Sequence, residues 1–149
     1  MSEADRPSTF VDRPAGRVLF LCVHNACRSQ IAEGYARALA PEEAVVMSAG
    51  SRPRGVHPLA IEVMAEIGID ISGHVSKALE DVPWASADTI VTLCDEDASV
   101  CPDVKSDVRR VHWQLPDPSL APRERQRDAF REVRDEIRWR VASLWPRGD

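Results

Sequence analysis

The sequence of 149 residues lacks an apolar run long enough to cross a bilayer. Its longest apolar stretches, at residues 18–23 and 44–47, are far shorter than the roughly 18–20 residues that a transmembrane helix needs. Residues 1–16 mix charged side chains with prolines and have no apolar centre of the kind found in signal peptides. We therefore expect a cytoplasmic protein with a flexible leader over residues 1–16 and one domain over residues 17–149.

An excess of positive charge is also missing. Lysine and arginine total 19 against 24 aspartates and glutamates, so the net charge is −5. An acidic chain has no general attraction to nucleic acid or to anionic lipid. Along the last predicted helix, acidic residues alternate with arginines in the pattern of a solvated face. We predict neither a nucleic-acid partner nor a membrane partner, so that any anion site must be local.

The spacing of a zinc site is absent as well. The four cysteines stand at positions 22, 27, 94 and 101. Six residues separate Cys94 from Cys101, whereas zinc ligands are typically separated by about two to four, and no second close pair of ligands exists. In a reducing cytoplasm, cysteines serve catalysis or redox chemistry more often than static disulfides. We expect no metal and no cofactor, and we look to the thiols themselves for chemistry.

Hydrophobic patterning predicts alternating strands and helices. Strands are expected at residues 17–23, 44–48, 88–93 and 108–113, and helices at residues 29–40, 59–67 and 123–144. This alternation predicts a mostly parallel sheet that is covered on both sides, a small three-layer α/β fold. Ligands bind beyond the carboxyl ends of the strands in such sheets. Cys22, Cys94 and the loop after Trp113 all fall at that edge.

The motif Cys22-Val23-His24-Asn25-Ala26-Cys27-Arg28-Ser29 joins the first strand to the first helix. A loop that turns into a helix N-terminus directs several backbone N–H groups at one point, where the helix dipole adds positive potential. A tetrahedral oxyanion fits there, with Arg28 holding two of its oxygens and Cys22 below it as a thiolate. Ser29 can donate a hydrogen bond to the sulfur. The alternative is two buried cysteines and a surface arginine.

The segment LFLCVHNACRSQIAE resembles the phosphate-binding loop of the low-molecular-weight tyrosine phosphatase fold, in its arsenate reductase branch. The resemblance runs from about residue 17 to the final helix, and it implies a three-layer αβα sandwich with a four-stranded parallel sheet. It also implies that Cys22 is the nucleophile, that Arg28 and the loop amides bind the oxyanion, and that Ser29 tunes the thiolate. Cys27 has no part in catalysis in this resemblance, and we assign it to loop packing.

Three further features separate the two branches of this fold. Cys94 and Cys101 resemble the redox segment of thioredoxin-coupled arsenate reductases, whereas a phosphatase has no need of such a pair. Gln30 stands where many phosphatases have proline. Asp117-Pro118-Ser119 lacks the tyrosine that commonly follows in phosphatases. The resemblance therefore implies arsenate as the substrate and thioredoxin as the electron donor.

The chemistry of arsenate reduction accounts for the same residues, because the reaction takes two electrons and a pair of thiols supplies them by forming a disulfide. In this hypothesis Cys22 attacks arsenate, Asp117 acts as general acid, Cys94 attacks Cys22, and Cys101 takes over the disulfide. The first alternative is a phosphatase that acts through a Cys22 phosphocysteine. The second is a redox or metalloid sensor. In the simplest alternative, Cys94 is an ordinary residue at a strand end and Cys101 a surface thiol.

Relatives in the reductase branch can hold a potassium ion close to the loop, with residues that match Asn25, Glu33 and Ser48. Two further matching positions differ here, because they carry Val75 and Lys77. A lysine ammonium that pairs with Glu33 replaces the cation in electrostatic terms. We therefore expect no potassium requirement.

Overall fold

A computed structural model describes residues 14–94 and 107–146. Its centre is a parallel sheet of strands β1 (Arg17–Cys22), β2 (Val45–Gly50), β3 (Thr89–Cys94) and β4 (Arg109–Gln114). The strands lie in the order β2-β1-β3-β4, and all three pairings are parallel. This arrangement confirms the predicted four-stranded parallel sheet.

One face of the sheet is covered by helices α1 (Arg28–Leu39), α2 (Pro58–Ala65) and α3 (Arg123–Ala142), whose apolar residues form a common cluster with sheet residues such as Phe20 and Leu93. Within the described ranges, the opposite face packs against the 3-10 turns Leu79–Asp81 and Trp84–Ser86 and the residues around them. β1 is buried on both faces, which explains its continuous apolar sequence.

The predicted elements agree with the structure except at their ends. β2 runs two residues further than expected, to Gly50, because Ala49 and Gly50 pair with Leu21 and Cys22. The predicted helix 59–67 ends its α-helical part at Ala65, and Gly68 follows with a positive φ of 84°. Glycine adopts that left-handed conformation without the steric cost that other residues incur.

The two ends of the described chain are tied together. The Ala15 N–H donates to the Leu144 carbonyl over 3.2 Å, and Trp145 Nε1 donates to the Ala15 carbonyl over 2.7 Å. The predicted leader, residues 1–16, lies outside the described residues except for 14–16, of which Ala15 is buried. The segment 95–106, which includes Cys101, also lies outside them. In the described parts, no helix combines the length and the apolar character needed to span a membrane.

Candidate active site

The candidate site lies at the carboxyl edge of the sheet, as expected. Cys22 is the last residue of β1, Arg28 is the first residue of α1, and the loop between them follows the sequence of the motif. Leu21 pairs with Thr92, so Cys94 at the end of β3 reaches the same edge. Asp117 follows shortly after β4 and lines the same pocket as Cys22. Parallel pairing therefore brings the ends of β1, β3 and β4 together.

Asn25 organises the loop from within. It is fully buried and has a left-handed backbone with φ of 48°, a conformation that asparagine tolerates better than most residues. Its Nδ2 donates to Ser29 Oγ over 2.7 Å and to Ser48 Oγ over 3.0 Å. Its Oδ1 accepts from Gln30 Nε2 over 3.0 Å and from the Lys77 N–H over 2.8 Å. The Asn25 side chain thus bonds one backbone group and three side chains.

These bonds set the direction of the hydrogen bond to the nucleophile. Cys22 Sγ and Ser29 Oγ are 2.9 Å apart. Because Ser29 Oγ already accepts from Asn25, its own proton is free to point at the sulfur. A hydroxyl that donates to sulfur stabilises the thiolate over the thiol.

The Arg28 guanidinium has partners at its two Nη atoms but none at Nε in the described structure. Its Nη1 donates to the Leu115 carbonyl over 2.9 Å, and its Nη2 lies 3.7 Å from Asp117 Oδ2. Within the described residues, its buried Nε has no hydrogen-bond partner. A buried donor without an acceptor costs free energy, and an oxyanion above Cys22 would supply the missing acceptor.

A pocket of about 270 Å³ opens above Cys22. Asp117 lies in its wall, where Oδ1 accepts from the Ser119 N–H over 3.0 Å and from the Ser119 hydroxyl over 2.7 Å. These two bonds fix the orientation of the carboxyl group, and Oδ2 is left as the oxygen that can carry a proton. The full lining consists of Cys22, His24, Ala26, Cys27, Arg28, Arg54, Gly55, Val56, His57, Pro58, Asp117 and Ser119.

Arg54, His57 and Ser119 are pocket residues that the sequence reasoning missed. The first two lie in the segment after β2, which is hydrogen-bonded to the Cys22 loop: the Arg54 N–H donates to the His24 carbonyl over 3.1 Å and the His57 N–H to the Ala26 carbonyl over 3.0 Å. A signal was available, because this segment follows a predicted strand of a parallel sheet, at the edge where ligands bind, and it carries two arginines, Arg52 and Arg54.

Gly50 allows the two segments to approach each other. A Cβ atom at this position would lie 2.6 Å from the Val23 carbonyl oxygen and 2.8 Å from the Asn25 nitrogen. Both are backbone atoms of the oxyanion loop, and a side chain at position 50 would displace them and distort the loop. Glycine is therefore required here by close approach of two backbones.

The surroundings of Cys27 and His24 keep both side chains uncharged near pH 7. Burial raises the pKa of Cys27 to about 12, with a further contribution from the negative charge of Asp117. Cys27 therefore stays a neutral thiol, as its assignment to loop packing requires. The pKa of His24 is lowered by burial and by the nearby Arg54 cation. His24 is therefore largely neutral near pH 7, and its charge is not part of the anion site.

The pairing expected between Lys77 and Glu33 is present, with Nζ 3.7 Å from Oε1. Glu33 also bonds Arg37 over 2.8 Å and accepts from the Ser48 hydroxyl over 2.6 Å. Burial opposes ionisation of Glu33, but the Ser48 hydroxyl and the two cations outweigh it and lower its pKa. Because Asn25 Oδ1 already has two donors, these residues do not fit a potassium ion. In the described parts of the chain, no other group of acidic, histidine or cysteine side chains has the form of a metal site.

Comparison with known proteins agrees with this geometry. The family described as low molecular weight phosphotyrosine protein phosphatase matches residues 17–147. An arsenate reductase of Halalkalibacterium halodurans is 43% identical over 129 residues, which cover 85% of this chain and 93% of the relative. A solved arsenate reductase in a phosphate-binding state superposes with a TM-score of 0.76 at 38% identity, covering 86% of this chain and 95% of the other.

A second solved structure, a thioredoxin-dependent arsenate reductase of Corynebacterium glutamicum, superposes with a TM-score of 0.67 at 31% identity. The match covers 95% of this chain and 65% of that one. The range that the family matches includes the strand, loop and helix that carry Cys22 and Arg28. The chain belongs to the low-molecular-weight phosphotyrosine phosphatase family, within its arsenate reductase branch.

Proposed function

We propose that this chain reduces arsenate to arsenite with Cys22 as the nucleophile. The observation that carries the proposal is Arg28, which lines the pocket above Cys22 and whose buried Nε lacks an acceptor in the described structure. The Cys22 sulfur below it is hydrogen-bonded to Ser29. Arsenate is a tetrahedral oxyanion, and a guanidinium and a helix N-terminus are the groups that bind such ions in proteins.

In the first step, the Cys22 thiolate attacks arsenic. A sulfur–arsenic bond forms, an arsenic–oxygen bond breaks, and the oxygen leaves as water after Asp117 has given it a proton. Asp117 is suited to this role because Ser119 fixes its Oδ1 and the residue lines the same pocket as Cys22. Arg28 and the loop amides balance the negative charge that remains on the arsenic oxygens.

In the second step, the Cys94 thiolate attacks the Cys22 sulfur. A 22–94 disulfide forms, the sulfur–arsenic bond breaks, and its electron pair remains on arsenic, which leaves as arsenite. The two thiols lose two electrons and arsenic(V) gains two. The position of Cys94 at the end of β3, the strand beside β1, supports this assignment.

In the third step, Cys101 attacks Cys94, which releases the Cys22 thiolate and leaves a 94–101 disulfide. A dithiol protein must then reduce that disulfide. Thioredoxin is the proposed donor, because the spacing of Cys94 and Cys101 resembles thioredoxin-coupled enzymes and the Corynebacterium glutamicum relative is described as thioredoxin-dependent. Cys101 itself lies outside the described residues.

A single-turnover experiment tests this sequence of steps. Fully reduced protein is mixed with stoichiometric arsenate without a reductant, quenched with an alkylating agent, and assayed for arsenite and for disulfides by peptide mass spectrometry. We expect arsenite together with a 94–101 disulfide, and alkylated Cys22 and Cys27. Four free thiols and no arsenite would contradict the proposal.

Phosphatase activity is the second candidate, because Cys22, Arg28 and Asp117 lie in one pocket and suffice for hydrolysis through a phosphocysteine. The variant Cys94→Ser separates the two activities. Arsenate reduction over many turnovers should be abolished, since no second thiol attacks Cys22, while hydrolysis of an aryl phosphate should persist. Retention of full arsenate turnover would remove Cys94 from the mechanism.

A further inference from the structure

The His57 imidazole lies in the wall of the Cys22 pocket, yet none of the steps above uses it. It lines the pocket together with Cys22, Arg28 and Asp117. Its backbone is anchored to the oxyanion loop, because its N–H donates to the Ala26 carbonyl over 3.0 Å. The residue therefore has a defined position relative to the oxyanion loop.

The His57 ring is oriented by two contacts. Its Nδ1 accepts a hydrogen bond from the Leu59 N–H over 3.1 Å, which makes His57 the N-cap of α2. Its ring also packs against Phe130, with centroids 4.8 Å apart and planes inclined by 42°. Because Nδ1 accepts a hydrogen bond, the neutral ring must carry its proton on Nε2. The capping bond thus selects one tautomer.

The resulting Nε2–H is an unused donor. Within residues 14–94 and 107–146, His57 Nε2 has no hydrogen-bond partner, and this nitrogen is not buried. It is therefore accessible to a molecule in the pocket. Burial lowers the pKa of His57, and the Asp117 carboxylate only partly opposes that effect, so the neutral ring predominates near pH 7.

We propose that His57 is an oxyanion-binding residue whose Nε2–H donates to an oxygen of the arsenate held above Cys22. This inference rests on the proposed function and adds a third kind of donor to Arg28 and the loop amides. The donor is oriented before the substrate arrives, so no rotamer search accompanies binding. It is also neutral, so it binds oxygen without placing a further cation beside the Cys22 thiolate.

The variant His57→Asn tests the proposal, because asparagine is a good N-cap but has no atom that corresponds to Nε2. Inorganic phosphate serves as the probe, and its Kd is measured from the protection of Cys22 against iodoacetamide. We expect the Kd to rise about tenfold or more, as for loss of one hydrogen bond to a charged group. The KM for arsenate should rise in parallel, with a smaller change in kcat.

The variant His57→Ala is the matched structural control, since it loses both the cap and the donor. A purely structural role predicts that His57→Asn binds phosphate within about twofold of wild type while His57→Ala binds weakly and melts earlier. That result would overturn the proposal. A second readout is the ¹⁵N resonance of His57 Nε2, which should shift on saturation with phosphate; an unmoved resonance would also overturn it.

Phosphate protection does not depend on arsenate chemistry. If wild-type protein binds phosphate through His57 but forms no arsenite, the proposed function fails and the assignment of His57 as an oxyanion donor stands. If arsenite forms and His57→Asn binds phosphate as wild type does, only the inference about His57 fails.

Discussion

At the scale of single residues, the hydrogen-bond network of the site is built around the buried side-chain amide of Asn25. Asn25 donates to two serine hydroxyls, and each hydroxyl then donates to a group that carries or can carry negative charge: Ser29 to the Cys22 sulfur and Ser48 to the Glu33 carboxylate. In both of these chains the protons therefore point outward from Asn25 Nδ2. A network directed in this way stabilises the thiolate and the carboxylate together.

We expect Asn25→Ala to destabilise the fold and to lower the reactivity of the Cys22 thiol. Alanine would be strained at φ of 48°, and it leaves buried partners unsatisfied; the two effects together cost about 2–4 kcal/mol. Urea unfolding measures the loss, and the rate of Cys22 alkylation by iodoacetamide at pH 7 should be lower than in wild type.

Asn25→Gly is the matched control, because glycine relieves the backbone strain but restores no hydrogen bond. It should regain about 1 kcal/mol of stability relative to Asn25→Ala while its Cys22 reactivity stays low. If both variants reacted with iodoacetamide like wild type, the network would have no part in activating the thiolate.

At the scale of elements, Glu33 links helix α1 to Lys77, which lies in the segment between α2 and β3. The carboxylate is 4% exposed and interacts with Arg37 of its own helix and with Lys77 from the segment before β3. Lys77 also donates its backbone N–H to Asn25. The lysine therefore ties this segment both to the helix and to the oxyanion loop.

This pairing predicts that the enzyme is indifferent to potassium. The kcat/KM for arsenate reduction should be the same in potassium chloride and sodium chloride at equal ionic strength, since the Lys77 ammonium already neutralises Glu33. A kcat/KM that is severalfold higher in potassium chloride than in sodium chloride would contradict the prediction.

Lys77→Ala provides the companion test. Removal of the ammonium leaves Glu33 with one fewer cation in a buried position, so kcat/KM and the melting temperature should both fall. If the missing charge is the cause, potassium should restore part of the loss in the variant while leaving wild type unchanged.

At the scale of the whole molecule, three histidines couple folding to pH. The pKa values of His24, His57 and His74 are all lowered, in each case chiefly by burial. An unfolded chain therefore binds more protons than the folded one between these lowered values and the ordinary histidine pKa near 6.5. Their contribution to stability is complete above pH 6.5 and is lost as the pH falls through the lowered pKa values.

We accordingly expect the free energy of unfolding to decrease as the pH is lowered from 7.5 to 5. The double variant His24→Gln/His74→Gln should show a shallower decrease, because glutamine does not titrate and can still donate to Gln30 in place of His74. Urea titrations at several pH values measure both slopes. Equal slopes would show that carboxylates alone set the acid sensitivity.

The sequence by itself determined the elements of the fold and the candidate for the nucleophile that we propose. Buried parallel strands read as continuous apolar runs, and helices read as periodic ones, so the sheet and its three helices were predictable. That Cys22, Arg28 and Ser29 lie together was predictable because they occupy one contiguous motif, whose spacing has a chemical reason. Asp117 was proposed from the need of the reaction for a general acid, and its role stays a prediction.

Only the tertiary structure decided how separate segments complete the pocket. Arg54 and His57 reach it because β2 lies beside β1 and Gly50 lets the following segment approach the loop, a contact between residues far apart in the chain. The tautomer of His57 depends on a capping bond, and the proton of Ser29 depends on Asn25. Residue type shows which groups can act, but their hydrogen-bond partners are known only once the segments have packed.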